Sequence, residues 1–284
     1  MLSFNEFVKH TSDLSEALIT FGGQAYPKFG NVVIMAGGAG SGKGFVKDKL
    51  VGMEGYNFDV DELKMLAIRT PGIAKRVKKE FGVDMSDFEK EGALKDPSNV
   101  FKLHTIIGDE LKIDDKRKKT LFTSILAAAP DRKPNLIFDV TMKSLTQLQK
   151  YTLPIQELGY EPDNIHIVWV VNDIEVAKAQ NLKRARTVPV EILVNTHRGA
   201  SHTMHDIVKM GNDLRKYMDG DIVFAFNKVG VDSELVKGQQ GGSFVKTANY
   251  FYVKRAGKPV DETTITKDLR HKIASYVPPS VSWE

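Results

Sequence analysis

Short apolar runs alternate along the chain with longer stretches in which apolar residues recur every three or four positions. Five runs read as strands: Val32–Ala36, Tyr56–Asp59, Leu136–Val140, Ile165–Val171 and Ile222–Phe226. None alternates strictly between apolar and polar, which is how strands covered on both faces of a parallel sheet read. Helical periodicity between them gives a βαβ succession. In 144–158, Leu145, Leu148, Thr152, Ile155 and Leu158 recur at helical steps, with Ser144 as N-cap and Gly159 past the end. Pro154 inside this stretch predicts a kink or an early break. Residues 98–127 predict two helices divided near Ile113-Asp114-Asp115, and 202–218 predict a further one. An amphipathic helix is expected over 3–20. After residue 232 the pattern changes: Phe244–Lys254 reads as a strand and 263–274 as a short helix. The expected organisation is an N-terminal helix and lead-in at 1–29, a main domain at 30–232 and a C-terminal appendage at 233–284.

Composition narrows the function classes. The 284 residues are 42% hydrophobic and 27% charged, enough to bury a sizeable core and too apolar for a disordered chain. The absence of cysteine excludes a disulfide scaffold and any cysteine-ligated metal centre. A net charge of +4 is too weak by itself to mark a nucleic-acid binder. The apolar runs are strand length, short of the ~20 residues that span a bilayer. No membrane association is expected, and the compartment expected is the cytoplasm (the host cytoplasm were the chain phage-encoded). The basic clusters Lys75–Lys79 and Lys116–Lys119 read as solvated helix faces.

The strongest chemical signal is Gly37-Gly38-Ala39-Gly40-Ser41-Gly42-Lys43-Gly44, which follows the first strand and opens a helical stretch at Phe45. This is the G-x-x-x-x-G-K phosphate loop, or Walker A, in its strand–loop–helix setting. Glycines let the backbone wrap a polyphosphate and aim N–H groups inward, and the helix N-terminus adds a positive dipole end. Lys43 is expected to reach the β- and γ-phosphates of ATP or GTP. The Ser/Thr that normally ligates Mg²⁺ after the lysine is Gly44 here. Adenylate kinases read similarly, and metal is then expected through water, phosphates and a carboxylate elsewhere.

Asp59-Val60-Asp61 closes the second strand. Ligands of open α/β sheets bind beyond the carboxyl ends of the strands. In-line phosphoryl transfer needs a carboxylate to orient and deprotonate the attacking hydroxyl. Asp61 is the candidate base. Asp59 is a candidate Mg²⁺ or substrate partner, or a helix cap. Asp139 ends the third strand and reads either as a metal carboxylate acting through water or as part of a substrate edge, with Thr141 beside it. Lys183-Arg184-Ala185-Arg186 and His197-Arg198 flank a helical stretch beginning near Pro189, where arginines can close over a triphosphate.

Taken in this order, the parts resemble the zeta-toxin group of P-loop kinases, relatives of phage polynucleotide kinases, over roughly residues 30–230. Asp59-Val60-Asp61 matches that group's Asp-x-Asp, whose second Asp is the base. Asp139-Val140-Thr141 stands for its Glu-Gly-Thr, and Lys143 for the arginine that follows. The lid arginines match Arg184, with Arg186 as its rival, and Arg198, which precedes His205-Asp206 by the family spacing. Asn227-Lys228-Val229-Gly230 matches Asn-Arg-x-Gly, which puts Asn227 near the donor base. The resemblance implies a three-layer P-loop kinase-type α/β fold: a five-stranded parallel sheet of order 2-3-1-4-5, a helical lid and a small C-terminal appendage. It implies phosphorylation of a hydroxyl on a nucleotide-sugar or nucleotide-like small molecule, with Asp139, Thr141 and Lys143 positioning acceptor or metal. The alternatives are a polynucleotide kinase acting on a nucleic-acid hydroxyl and a non-catalytic nucleotide-binding module.

Overall fold

The computed structural model describes residues 18–184, 186–237, 243–260, 262–279 and 283. The helix expected over 3–20 lies outside these residues up to 17, and at Ile19 the chain forms an isolated bridge to Val51.

Five parallel strands form the centre: β1 Val32–Ala36, β2 Tyr56–Asp59, β3 Leu136–Asp139, β4 Ile165–Val171 and β5 Ile222–Phe226. Their order is β2-β3-β1-β4-β5, as expected. The sheet does not stop there. β6 Ser233–Lys237 and β7 Ser243–Lys254 bring it to seven strands, with β7 antiparallel to β5 and β6 antiparallel to β7. The five-strand expectation is therefore short by two, and the sheet is mixed. β5 would otherwise present a row of unpaired backbone groups at the sheet edge, and β7 takes them.

The central strands lack polar alternation because both faces are covered. Val32, Ile34 and Ala36 of β1 face one core and Val33 and Met35 the other. The first core is closed by α6 Leu145–Glu157, α8 Val190–Lys209 and α9 Lys267–Tyr276, through Leu148, Ile155, Met204, Ile207, Leu269 and Ile273. The second is closed by α1 Lys43–Leu50 through Val46 and Leu50, and by Ile19 and Phe21. Between β2 and β3, α2 Val60–Arg69, α3 Pro71–Phe81, α4 Pro97–His104 and α5 Ile113–Leu126 build an insert. It has its own apolar cluster, including Ile68, Val77, Met85, Phe88, Leu103 and Ile107. The remaining helix, α7 Ile174–Lys183, leads from β4 into the lid.

Two local expectations are corrected. α6 runs through Pro154 to Glu157 without an early break. The proline sits in the last turn, where losing one backbone N–H removes only one i→i−4 bond. The helix expected over 202–218 begins at Val190 and stops at Lys209, where Gly211 at φ 53° turns the chain into a 3-10 stretch, Gly211–Lys216. Gly199 does not interrupt it, because the glycine is there for close approach: an added Cβ would lie 2.8 Å from Lys143 Cβ. Among the described residues no helix is long and apolar enough to cross a membrane.

Candidate active site

The glycine loop takes the shape its composition predicts. Gly37, Gly40 and Gly42 adopt φ of 147°, 74° and 90°. Gly42 is the N-cap of α1 and supplies no side-chain cap bond, so the first-turn amides of α1 are left for a ligand. Phe45 packs against the Val33 core. Gly44 is exposed, with open space where a Cβ would stand. The Lys43 ammonium donates to the carbonyls of Gly37 at 2.9 Å and Gly38 at 3.3 Å and lies 3.4 Å from Asp139 Oδ1.

Strand register brings the carboxylates to this loop. Met35, Asp139 and Asp59 are aligned across β1, β3 and β2, one residue before β1 ends and the glycine loop begins. Burial pushes the Asp139 carboxyl above its usual range, and Asp59 adds to the rise while Lys43 opposes it. Asp59 caps α2: its Oδ1 accepts from the amides of Asp61 at 2.8 Å and Glu62 at 3.3 Å. With Oδ1 engaged in the cap, Asp59 lies beside Asp139 in strand register. No group of three or more metal-ligating residues forms among the described residues.

Asp61 begins the helix beyond Asp59 and is gripped by the lid. Arg186 donates Nη1 to Oδ1 and Nη2 to Oδ2, both at 2.7 Å, and Lys64 Nζ lies 3.4 Å from Oδ1. Burial raises the Asp61 carboxyl, but Arg186 and Lys64 outweigh it and hold the group below the usual carboxylate range. Lys64 had no signal beyond its i+3 spacing from Asp61. Of the two rival arginines, Arg186 is the one that meets Asp61. Arg184 is exposed and, with Lys183, lines a cavity of about 600 Å³ against Met65, Arg69 and Lys95. The lid is pinned to the insert by Thr187, whose N–H donates to Leu94 O at 3.3 Å and whose hydroxyl donates to Lys95 O at 3.2 Å.

The remaining candidates fall around the loop. The Thr141 carbonyl accepts from Gly37 N–H at 3.3 Å. Lys143 is exposed; its amide donates to Gln147 Oε1 at 2.6 Å. Arg198 lies on α8 and donates to Asn195 Oδ1 at 3.4 Å. Asn227 is buried against the loop, donating Nδ2 to Ser41 O at 3.0 Å and accepting from Ser233 Oγ at 3.1 Å. Thr196, and His197 beyond its place in the basic pair with Arg198, gave no sign of touching the glycine loop, yet both bond Ala39. Nor is the second basic cluster wholly solvated: Lys118 pairs with Asp114 at 2.6 Å and lies over the Tyr151 ring.

The β1–loop–α1 unit with Lys43, set in a 2-3-1-4-5 parallel core, defines a P-loop kinase-type fold. No family model matches the chain, and no curated protein matches it. Among solved structures it is similar to an AvrRxo1-ORF1:-ORF2 complex with ATP, at 11% identity over 98% of this chain and 72% of that one, TM-score 0.46. A second structure of that complex, with sulphate ions, is similar at 13% identity, the same coverage and a TM-score of 0.42. The PezAT chromosomal toxin-antitoxin system of Streptococcus pneumoniae is similar at 13% identity over 79% of this chain and 77% of that one, TM-score 0.40.

Proposed function

We propose that this chain is an ATP- or GTP-dependent kinase that phosphorylates a hydroxyl of a nucleotide-sugar or nucleotide-like small molecule. The observation that carries the reading is the pairing of two prepared groups. Lys43 is folded onto its own loop beside Asp139, and an ionised Asp61 is held by Arg186 just past the adjoining strand. Residues 37–44 and the α1 N-terminus hold the donor phosphates, and Lys43 leaves the loop carbonyls for the β- and γ-oxygens. Asp61 accepts the proton of the acceptor hydroxyl. The hydroxyl oxygen bonds to the γ-phosphorus, the bond to the β–γ bridging oxygen breaks, and its electrons leave with the nucleoside diphosphate. Arg186 or Arg184, together with Arg198, neutralises charge on the group in transit. Asp139 and Asp59 would hold Mg²⁺ through water, and the ion would supply further charge neutralisation for the transfer. Thr141 and Lys143 line the acceptor side, and Asn227 supports the loop under the donor.

γ-Labelled ATP and GTP incubated with UDP-sugars, nucleosides and oligonucleotides test this. Label in a small-molecule acceptor, lost in Lys43→Ala, is the expected result. Label only in oligonucleotides supports the polynucleotide alternative. Label only in free phosphate contradicts the kinase reading.

A further inference from the structure

Both backbone polar groups of Ala39, in the glycine loop, are held by α8. The Ala39 N–H donates to Thr196 Oγ1 at 3.0 Å, and its carbonyl accepts from His197 Nε2 at 2.8 Å. Because a carbonyl only accepts, the ring carries its proton on Nε2. Thr196 in turn donates its hydroxyl to Leu193 O at 2.7 Å, so the clamp is anchored in the helix itself. His197 is 4% exposed, deep burial for a histidine. Its ring occupies the place where Gly38 lacks a side chain: a Cβ added there would lie 2.1 Å from His197 Cδ2. The following residue is Arg198, one of the lid candidates.

We propose that His197 is a positioning residue for phosphoryl transfer, locking the Ala39–Gly40 peptide to α8 through the Ala39 carbonyl so that the phosphate loop and Arg198 keep a fixed relation. This rests on the kinase reading above. Burial holds the His197 imidazole down at about 4, so the ring is neutral at physiological pH and serves as a fixed donor rather than a proton carrier. The arrangement explains Gly38 by contact: the loop admits no side chain there because the imidazole fills the space. It also accounts for a glycine loop with one amide already satisfied. Phosphate binding then relies on the loop residues after Ala39 and on the first turn of α1.

The test compares wild type, His197→Ala, His197→Gln, Gly38→Ala and the double variant Gly38→Ala/His197→Ala. The readouts are ATP binding by calorimetry, release or transfer of label from γ-labelled ATP, and melting temperature. Losing one buried hydrogen bond at a binding loop is worth about tenfold. His197→Ala is expected to raise the ATP dissociation constant by about that factor and to lower kcat as well. Gln, whose amide donates from the Nε2 position, restores both, while the Ala and Gln variants melt alike. Gly38→Ala is expected to lose ATP binding, and the double variant to regain part of it, because removing the ring removes the clash. Equal ATP binding and turnover in wild type and His197→Ala would overturn the positioning role, as would a failure of Gln to restore them. A wild-type protein that binds no ATP would overturn the kinase reading and this proposal with it.

Discussion

Arg186 and Asp61, 125 residues apart in sequence, meet in a two-pronged ion pair with both N–O distances at 2.7 Å. Parallel, charge-assisted bonds of this kind are among the stronger polar contacts and fix orientation as well as charge. In this conformation both oxygens of the proposed base are occupied. An acceptor hydroxyl either uses a lone pair that the carboxylate retains or displaces one arm of the guanidinium, which would free that arm to turn toward the transferring phosphoryl group.

The first prediction concerns the acid limb of activity. Asp61 is held below the usual carboxylate range in the folded protein, so it contributes stability in full above its unfolded value of about 4, and that contribution fades as pH falls through the lowered value. Arg186→Ala removes one of the two cations holding it down. The acid limb of kcat/KM is expected to move to higher pH in that variant, with carboxyl titration by NMR as the direct check. An unmoved limb would mean that Asp61 is not the group being titrated.

Lys43→Ala is expected to weaken ATP binding by about ten- to a hundredfold, the range for loss of a charge-assisted contact. It also removes the cation that opposes the raised Asp139 carboxyl, so that carboxyl moves further up. Calorimetry and carboxyl NMR read the two effects separately.

Gly44→Ser supplies the hydroxyl that the loop lacks. A side chain there meets nothing within 4 Å, so the fold is expected to accept it. The variant should need less Mg²⁺ for half-maximal ATP binding, because a direct oxygen ligand replaces a water. A metal titration of ATP binding checks this against wild type.

The outer strands give a stability prediction. Lys254, at the end of β7, has a 1% exposed side chain and donates to Asp219 Oδ1 at 2.6 Å and Asp219 O at 2.8 Å. Asp219 is as deeply buried and also accepts from Arg215. Breaking a buried pair from one side typically costs about 3–5 kcal/mol, so Lys254→Met is expected to lower urea-unfolding stability by that order. A change near zero would mean that β7 is not firmly joined to the β5 edge.

The parallel core was legible because runs such as Val32–Ala36 and Ile222–Phe226 are wholly apolar and buried throughout. The glycine loop was legible because its function dictates its composition. β6 was not, since Ser233-Glu234-Leu235-Val236-Lys237 is a short edge strand with mixed chemistry. Choosing between Arg184 and Arg186 required the turn after α7, which spacing does not determine. His197 was read only as part of a basic pair with Arg198, for a different reason. Its partner lies 158 residues away, and nothing local distinguishes a histidine that clamps a loop from one that faces solvent.

The most direct test compares ATP binding with single-turnover transfer in wild type and Asp61→Asn. The account predicts that Asp61→Asn binds ATP within about threefold of wild type while transfer to the acceptor falls by about 10²–10⁴, the range for loss of a general base. Transfer at the wild-type rate in Asp61→Asn would contradict it, because the carboxylate gripped by Arg186 would then have no part in the chemistry.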